Sequence, residues 1–138
     1  MIRKNLIVGG LTAAVFAISL VGAGAQAPAQ APAPFKRTVL QQGDLSAPGR
    51  EAVMVLGEFQ PGGASGRHTH PGEEISYVLA GPLVIDIDGK PAKTYQTGEV
   101  FMIPAGTIHN AKNTGTAGVK VVGTYVIEKG KPVTTPVP

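Results

Sequence analysis

The chain has no cysteine and no tryptophan, and only 3 of its 138 residues are histidine. The absence of cysteine excludes disulfides, thiolate metal sites and cysteine nucleophiles. Charged residues make up 15% of the chain, aromatic residues 5%, and the net charge is +3. Because no basic run is present, a nucleic-acid partner is not expected. We therefore expect the chemistry to centre on the few histidines and carboxylates.

Residues 1–25 predict a secretory signal peptide. Arg3 and Lys4 precede an apolar run over residues 6–21, and Ala23-Gly24-Ala25 offers a small-x-small cleavage site. The alternative is an uncleaved anchor, but the run is interrupted by small residues and falls short of the roughly 20 apolar residues that a span requires. We expect cleavage after Ala25, no stable membrane anchor afterwards, and a periplasmic or secreted protein that begins at Gln26.

Two proline-rich segments flank the part that is expected to fold. Residues 26–34 read QAPAQAPAP, a linker typical of extended polyproline II. Residues 132–138 form a proline-rich tail that we expect to lie extended along the surface or to fray. The folded domain is therefore predicted over residues 35–131.

Within that domain, short apolar segments between glycines and prolines predict strands. Residues 51–59 are apolar on both faces, as in a strand buried between layers. Side chains in residues 83–88 alternate in polarity, so Asp86 and Asp88 are expected to point towards solvent. The Asp88-Gly89 pair predicts a tight hairpin turn with positive φ angles. No helical period is present beyond the leader. The pattern predicts an all-β sandwich or barrel.

All three histidines fall in two regularly spaced stretches. Residues two apart on a strand share a face, so His68 and His70 can bind one ion between them. Such a pair alone is more often two half-buried histidines that bind no metal. Alternation favours Glu74 over Glu73 on that face and places Glu73 at the rim. The first stretch reads Gly62, five residues, His68, one residue, His70, three residues, Glu74, six residues, Gly81; the second reads Gly98, five residues, Pro104, one residue, Gly106, two residues, His109, three residues, Asn113.

These two stretches resemble the two signatures of the cupin superfamily at all ten specified positions, with sixteen residues between them. The chain is most similar to small single-domain bacterial cupins of the quercetin-dioxygenase-like type. The resemblance implies a double-stranded β-helix, or jelly roll. It also implies that one metal is bound inside the barrel by His68, His70, Glu74 and His109, with His109 on a facing strand.

Three imidazoles and one carboxylate suit one divalent transition metal: iron, manganese, nickel, cobalt, copper or zinc. Calcium would need more oxygen ligands. A purely structural metal remains an alternative, although structural zinc sites are closed and often use thiolates.

Glu74 is expected to be both a metal ligand and the best candidate base, because Asp86 and Asp88 point outward. Five larger side chains could line a pocket but are more typical of a core: Tyr77, Tyr95, Phe101, Met102 and Tyr125.

The family resemblance leaves several functions open. The leading hypothesis is an exported metal-dependent oxygenase that acts on a small hydroxylated or enolisable organic molecule. One alternative is a non-catalytic periplasmic cupin that binds metal or a small ligand, and another is a manganese germin-like oxalate-type enzyme. A small molecule is the expected partner, and the resemblance also allows a homodimer through a strand face such as that of residues 51–59.

Overall fold

A computed structural model describes residues 34–138, which form ten strands and no helix. The predicted signal peptide and residues 26–33 of the predicted linker lie outside the described residues. Within residues 34–138, no helix is long and apolar enough to cross a membrane. The strands are β1 (Phe35–Asp44), β2 (Arg50–Phe59), β3 (His68–Thr69), β4 (Gly72–Ala80), β5 (Leu83–Ile87), β6 (Lys93–Tyr95), β7 (Val100–Ile103), β8 (His109–Lys112), β9 (Val119–Glu128) and β10 (Thr135–Pro136).

The strands form two five-stranded sheets with antiparallel pairing. One sheet has the order β1-β2-β9-β4-β7, and the other has the order β10-β3-β8-β5-β6. The chain changes sheet repeatedly, as in a jelly roll, so residues that are close in sequence face each other across the interior. The prediction of an all-β jelly roll is confirmed.

The interior is filled by alternating side chains from both sheets. One apolar cluster includes Phe59 and Val121 from the first sheet and Leu83 and Ile85 from the second. A smaller cluster is built from Val53, Val55, Tyr125 and Ile127, and the partly buried Val133 packs against it. The apolar layer between the sheets is the main source of stability in a chain without disulfides.

The structure corrects two details of the predicted strands. Strand β2 is not buried on both faces: Val53 and Val55 point inward, whereas Met54 is 39% exposed, because the second sheet covers only one face of the first. The turn between β5 and β6 is also longer than a two-residue hairpin, since Ile85 pairs with Lys93. Gly89 has a φ of 74°, but Asp88 does not have a positive φ.

The proline-rich C-terminal segment is ordered along the second sheet. Thr135 pairs with Thr69, and Pro136 pairs with His68, so β10 borders the strand that carries His68. The amide of Val137 also donates to the carbonyl of Arg67 at 2.9 Å. This segment therefore lies directly beside one of the two histidine stretches.

Candidate metal centre

The fold brings the three histidines together in the interior. His68 and His109 are direct cross-strand partners on β3 and β8, and His70 lies just after β3. All three are buried, and their candidate ligand nitrogens lie within 4.8 Å of one another. The prediction that His109 lies on a facing strand is wrong, because β8 is the neighbour of β3 in the same sheet. It is Glu74 that reaches the cluster from the other sheet.

A backbone carbonyl holds each imidazole through its Nδ1 atom. His68 contacts the carbonyl of Gly66 at 2.7 Å, His109 contacts that of Thr107 at 2.9 Å, and His70 contacts that of Val133 at 2.5 Å. A carbonyl oxygen can only accept, so each Nδ1 carries a proton, which leaves Nε2 as the ring nitrogen that could bind a metal. This is how histidines are commonly held when Nε2 binds a metal.

Glu74 lies on β4 with its carboxylate against the histidine cluster. Its Oε2 is 3.0 Å from Nε2 of His70 and 3.4 Å from Nε2 of His109, and its Oε1 accepts a 2.6 Å hydrogen bond from Ser76. Burial opposes ionisation, but the contacts with His109, His70 and Ser76 together hold the pKa of Glu74 below its usual range. Glu74 is therefore an anion in this buried place.

The cluster offers four donor groups that suit a metal ion. Three imidazoles converge in the interior, and Oε2 of Glu74 lies close to Nε2 of both His70 and His109. Burial, with smaller contributions from the other histidines and Arg37, lowers the pKa of His68 to about 4, so this ring is neutral at pH 7. A divalent transition metal fits this set of nitrogen and oxygen donors.

His68, Glu74 and His109 line a cavity that is partly open to solvent. Eight of the side chains that line it are apolar and six are polar. Burial and the charge of Glu74 raise the pKa of Tyr125 well above its usual range, so the phenol keeps its proton. The apolar wall is formed by Phe35, Val55, Phe59, Leu83, Ile85, Phe101, Ala111 and Val121, and the polar side chains are Arg37, Ser65, His68, Glu74, His109 and Tyr125.

The other residues considered from the sequence fall in different places. Glu73 is only half-buried and lies on the opposite face of β4 from Glu74. Asp86 and Asp88 point outward and pair with Lys112 at 2.7 Å and with Arg67 at 2.5 Å. Of the five large side chains considered for the pocket, Phe101 and Tyr125 line the cavity, whereas Tyr77 and Met102 are exposed.

Sequence reasoning missed three groups around the centre. Ser76 follows Glu74 by two residues on the same strand, so the alternation of β4 could have revealed it. Arg37 lies on the inner face of β1, and no motif distinguishes it from Lys36. The carbonyl of Val133 belongs to the backbone, so its contact with His70 leaves no trace in the sequence.

Comparisons with known proteins agree with this geometry. The model of the cupin domain family matches residues 55–128, more than half of the chain. A germin-like protein from Arabidopsis thaliana, subfamily 2 member 2, is 36% identical over 73 residues, which are 49% of this chain and 33% of that protein. The chain spans about a third of the length of the germin-like relatives it matches.

Two solved structures illustrate the similarity of the fold. An oxalate oxidase in complex with the substrate analogue glycolate superposes with a TM-score of 0.60 at 25% identity, covering 78% of this chain and 63% of that one. A protein from Klebsiella pneumoniae with a double-stranded β-helix domain gives a TM-score of 0.62 at 16% identity, over 78% of this chain and 90% of that one. At that lower identity the similarity shows the fold alone.

Proposed function

Because the chain belongs to the cupin-domain family, we propose that it is an exported, metal-dependent oxygenase that acts on a small hydroxylated or enolisable organic molecule. The observation that carries this proposal is the convergence of three imidazoles and the Glu74 carboxylate, of which His68, Glu74 and His109 line a largely apolar cavity. His68, His70, Glu74 and His109 would hold one divalent transition metal. Which metal is bound among iron, manganese, nickel, cobalt, copper and zinc depends on the metals available where the protein folds as well as on their affinity for the site.

A bound metal of this kind would supply Lewis-acid polarisation of a substrate hydroxyl and, for a redox-active ion, an electron path to dioxygen. The residues of the chain supply the rest. The carbonyls of Gly66, Thr107 and Val133 fix the imidazoles, and apolar side chains form most of the surface around the cavity. Of the side chains that line the cavity, Glu74 is the only carboxylate. Its Oε2 is therefore the acceptor that we assign to the substrate's hydroxyl proton.

The cavity wall favours an organic substrate with an apolar body. Phe35, Phe59 and Phe101 line the same cavity as Glu74, and aromatic walls suit a ring or a chain better than a two-carbon dianion. A specific observation nevertheless supports a germin-like, manganese-dependent oxalate-type enzyme as a second candidate, because an oxalate oxidase superposes on this chain at 25% identity.

Oxygen uptake tests the proposal directly. Protein loaded separately with iron, manganese, nickel, cobalt or copper is supplied with a panel of flavonols, β-diketones and oxalate. We expect at least one flavonol or β-diketone to drive oxygen consumption that is lost in Glu74→Gln at equal metal content. Uptake with oxalate alone favours the second candidate. If no compound consumes oxygen with any metal, the oxygenase proposal fails and a non-catalytic binding protein takes its place.

Export is a separate part of the proposal and rests on the leader over residues 1–25. We expect protein isolated from its native host outside the cytoplasm to begin at Gln26. N-terminal sequencing measures this, and recovery of Met1 or Ile2 in the cytosol would contradict it.

A further inference from the structure

Arg37 gives the cavity one positively charged side chain. Among the residues that line the cavity, no other lysine or arginine is present. Arg37 lies on the inner face of β1 opposite Gly57, and its guanidinium carbon is 5.7 Å from the ring centroid of Phe35. The charge is therefore set against an apolar wall and not in open solvent.

The charge of Arg37 has no protein counterion within the described residues. Its NH1 group donates to the hydroxyl of Thr134 at 2.5 Å, which is a neutral partner. By contrast Arg67 pairs with Asp88, and no ion pair among residues 34–138 includes Arg37. A guanidinium has five N–H donors in a planar fork that matches a carboxylate, so most of its donors are available to a ligand.

The C-terminal segment holds Arg37 near the histidine cluster. Thr134 accepts from Arg37, and the carbonyl of the preceding residue, Val133, accepts from His70. Adjacent Cα atoms are about 3.8 Å apart, so the two anchoring points are only one residue apart. Arg37 also lines the same cavity as His68, His109 and Glu74, so a small molecule in this cavity can contact both the guanidinium and the histidine cluster.

From this arrangement we propose that Arg37 is a specificity-determining residue that binds a carboxylate on the far end of the ligand, away from the oxygens that face the histidines. The inference rests on the proposed function and narrows its substrate to an organic acid. One guanidinium balances one negative charge, which favours a carboxylate over a doubly charged phosphate. Glu74 repels the carboxylate from the inner end, so the two charges fix the orientation of the ligand.

The experiment compares two ligands that differ in one charge. 3,4-Dihydroxybenzoate and its methyl ester share the same pair of adjacent hydroxyls, but only the acid carries a carboxylate. Their affinities for nickel-loaded protein are measured by titration calorimetry under nitrogen. The variants are Arg37→Gln and, as a matched control, Arg50→Gln. Arg50 is also a half-buried arginine without an ion pair among the described residues, but it does not line the cavity.

We expect the wild type and Arg50→Gln to bind the acid at least about tenfold more tightly than the ester, which is typical for a hydrogen bond between charged groups. Arg37→Gln should lose this preference while it keeps its nickel and its affinity for the ester. If the ligands bind equally in the wild type, or if Arg37→Gln keeps the preference, the inference about Arg37 is wrong and the metal centre is unaffected. If neither ligand binds to nickel-loaded wild type, the inference about Arg37 is also wrong, and the oxygen-uptake panel still decides the proposed function.

Discussion

The hydroxyl of Ser76 donates a 2.6 Å hydrogen bond to Oε1 of Glu74 and so turns Oε2 of the same carboxylate towards His70 and His109. Both Ser76 and Glu74 are buried on the inner face of β4. The two carboxylate oxygens therefore act differently, since Oε1 is held by the protein and Oε2 faces the histidine cluster. Ser76 is a positioning residue, because it acts on the centre only through Glu74.

Replacing Ser76 by alanine tests this division. The change leaves Oε1 buried without its donor, and supporting hydrogen bonds around metal ligands are typically worth 10- to 100-fold in affinity. We expect Ser76→Ala to bind nickel or manganese about 10-fold or more weakly than the wild type, as measured by competition with a chelator. Thr97→Ala is the control, since the Thr97 hydroxyl also accepts a hydrogen bond, from the amide of Gly81, but does not line the cavity. Equal loss of affinity in both variants would show that Ser76 has no special role.

Gly123 lies opposite Ser76 on β9, and its lack of a side chain leaves room for the Ser76 hydroxyl. A Cβ atom at this position would lie 3.0 Å from Oγ of Ser76 and 3.2 Å from the hydroxyl of Tyr125. We expect Gly123→Ala to displace Ser76 from Glu74, to weaken metal binding and to lower the free energy of unfolding by about 1–3 kcal/mol, as overpacking does. Gly43→Ala is the matched strand control, because nothing lies within 4 Å of its Cβ position. Chelator competition and urea unfolding measure the two effects; an unchanged metal affinity in Gly123→Ala would contradict the account.

The C-terminal segment is expected to support the metal centre through the Val133 carbonyl and through the pairing of β10 with β3. Deleting residues 133–138 removes the carbonyl that accepts from His70 and the strand that pairs with His68, so both rings lose a support. We expect metal affinity to fall 10- to 100-fold, while far-ultraviolet circular dichroism still reports β structure. Thr134→Val is the control: it removes the hydroxyl partner of Arg37 but keeps the Val133 carbonyl, so its metal affinity should match that of the wild type. An unaltered affinity in the deletion variant would show that the carbonyl does not position His70.

The sequence predicted those parts of the centre that depend on spacing. Strand alternation placed His68 and His70 on one face and separated Glu74 from Glu73, whereas the resemblance to the cupin signatures implied the complete ligand set. His109 was assigned to the cluster, but to the wrong sheet, because pairing between distant strands is set by the whole topology and not by a local pattern.

Other features depend on contacts that no local pattern encodes. Arg37 follows Lys36, and only the register of β1 against β2 decides which of the two faces the cavity. Met54 is exposed because no second layer within residues 34–138 covers the outer face of the first sheet. The apolar residues at 51–59 do not indicate whether such a layer is present. The Asp88-Gly89 pair suited a tight turn, yet the pairing of Ile85 with Lys93 places the turn over more residues.

Metal content of purified variants tests the central claim most directly. Wild type, Glu73→Gln and the double variant His68→Ala, His109→Ala are loaded with the same metal, desalted and analysed for metal per chain. We predict about one ion per chain in the wild type and in Glu73→Gln, and almost none in the double variant, because two of the three converging imidazoles are gone. A full complement of metal in the double variant would contradict the assignment of this centre.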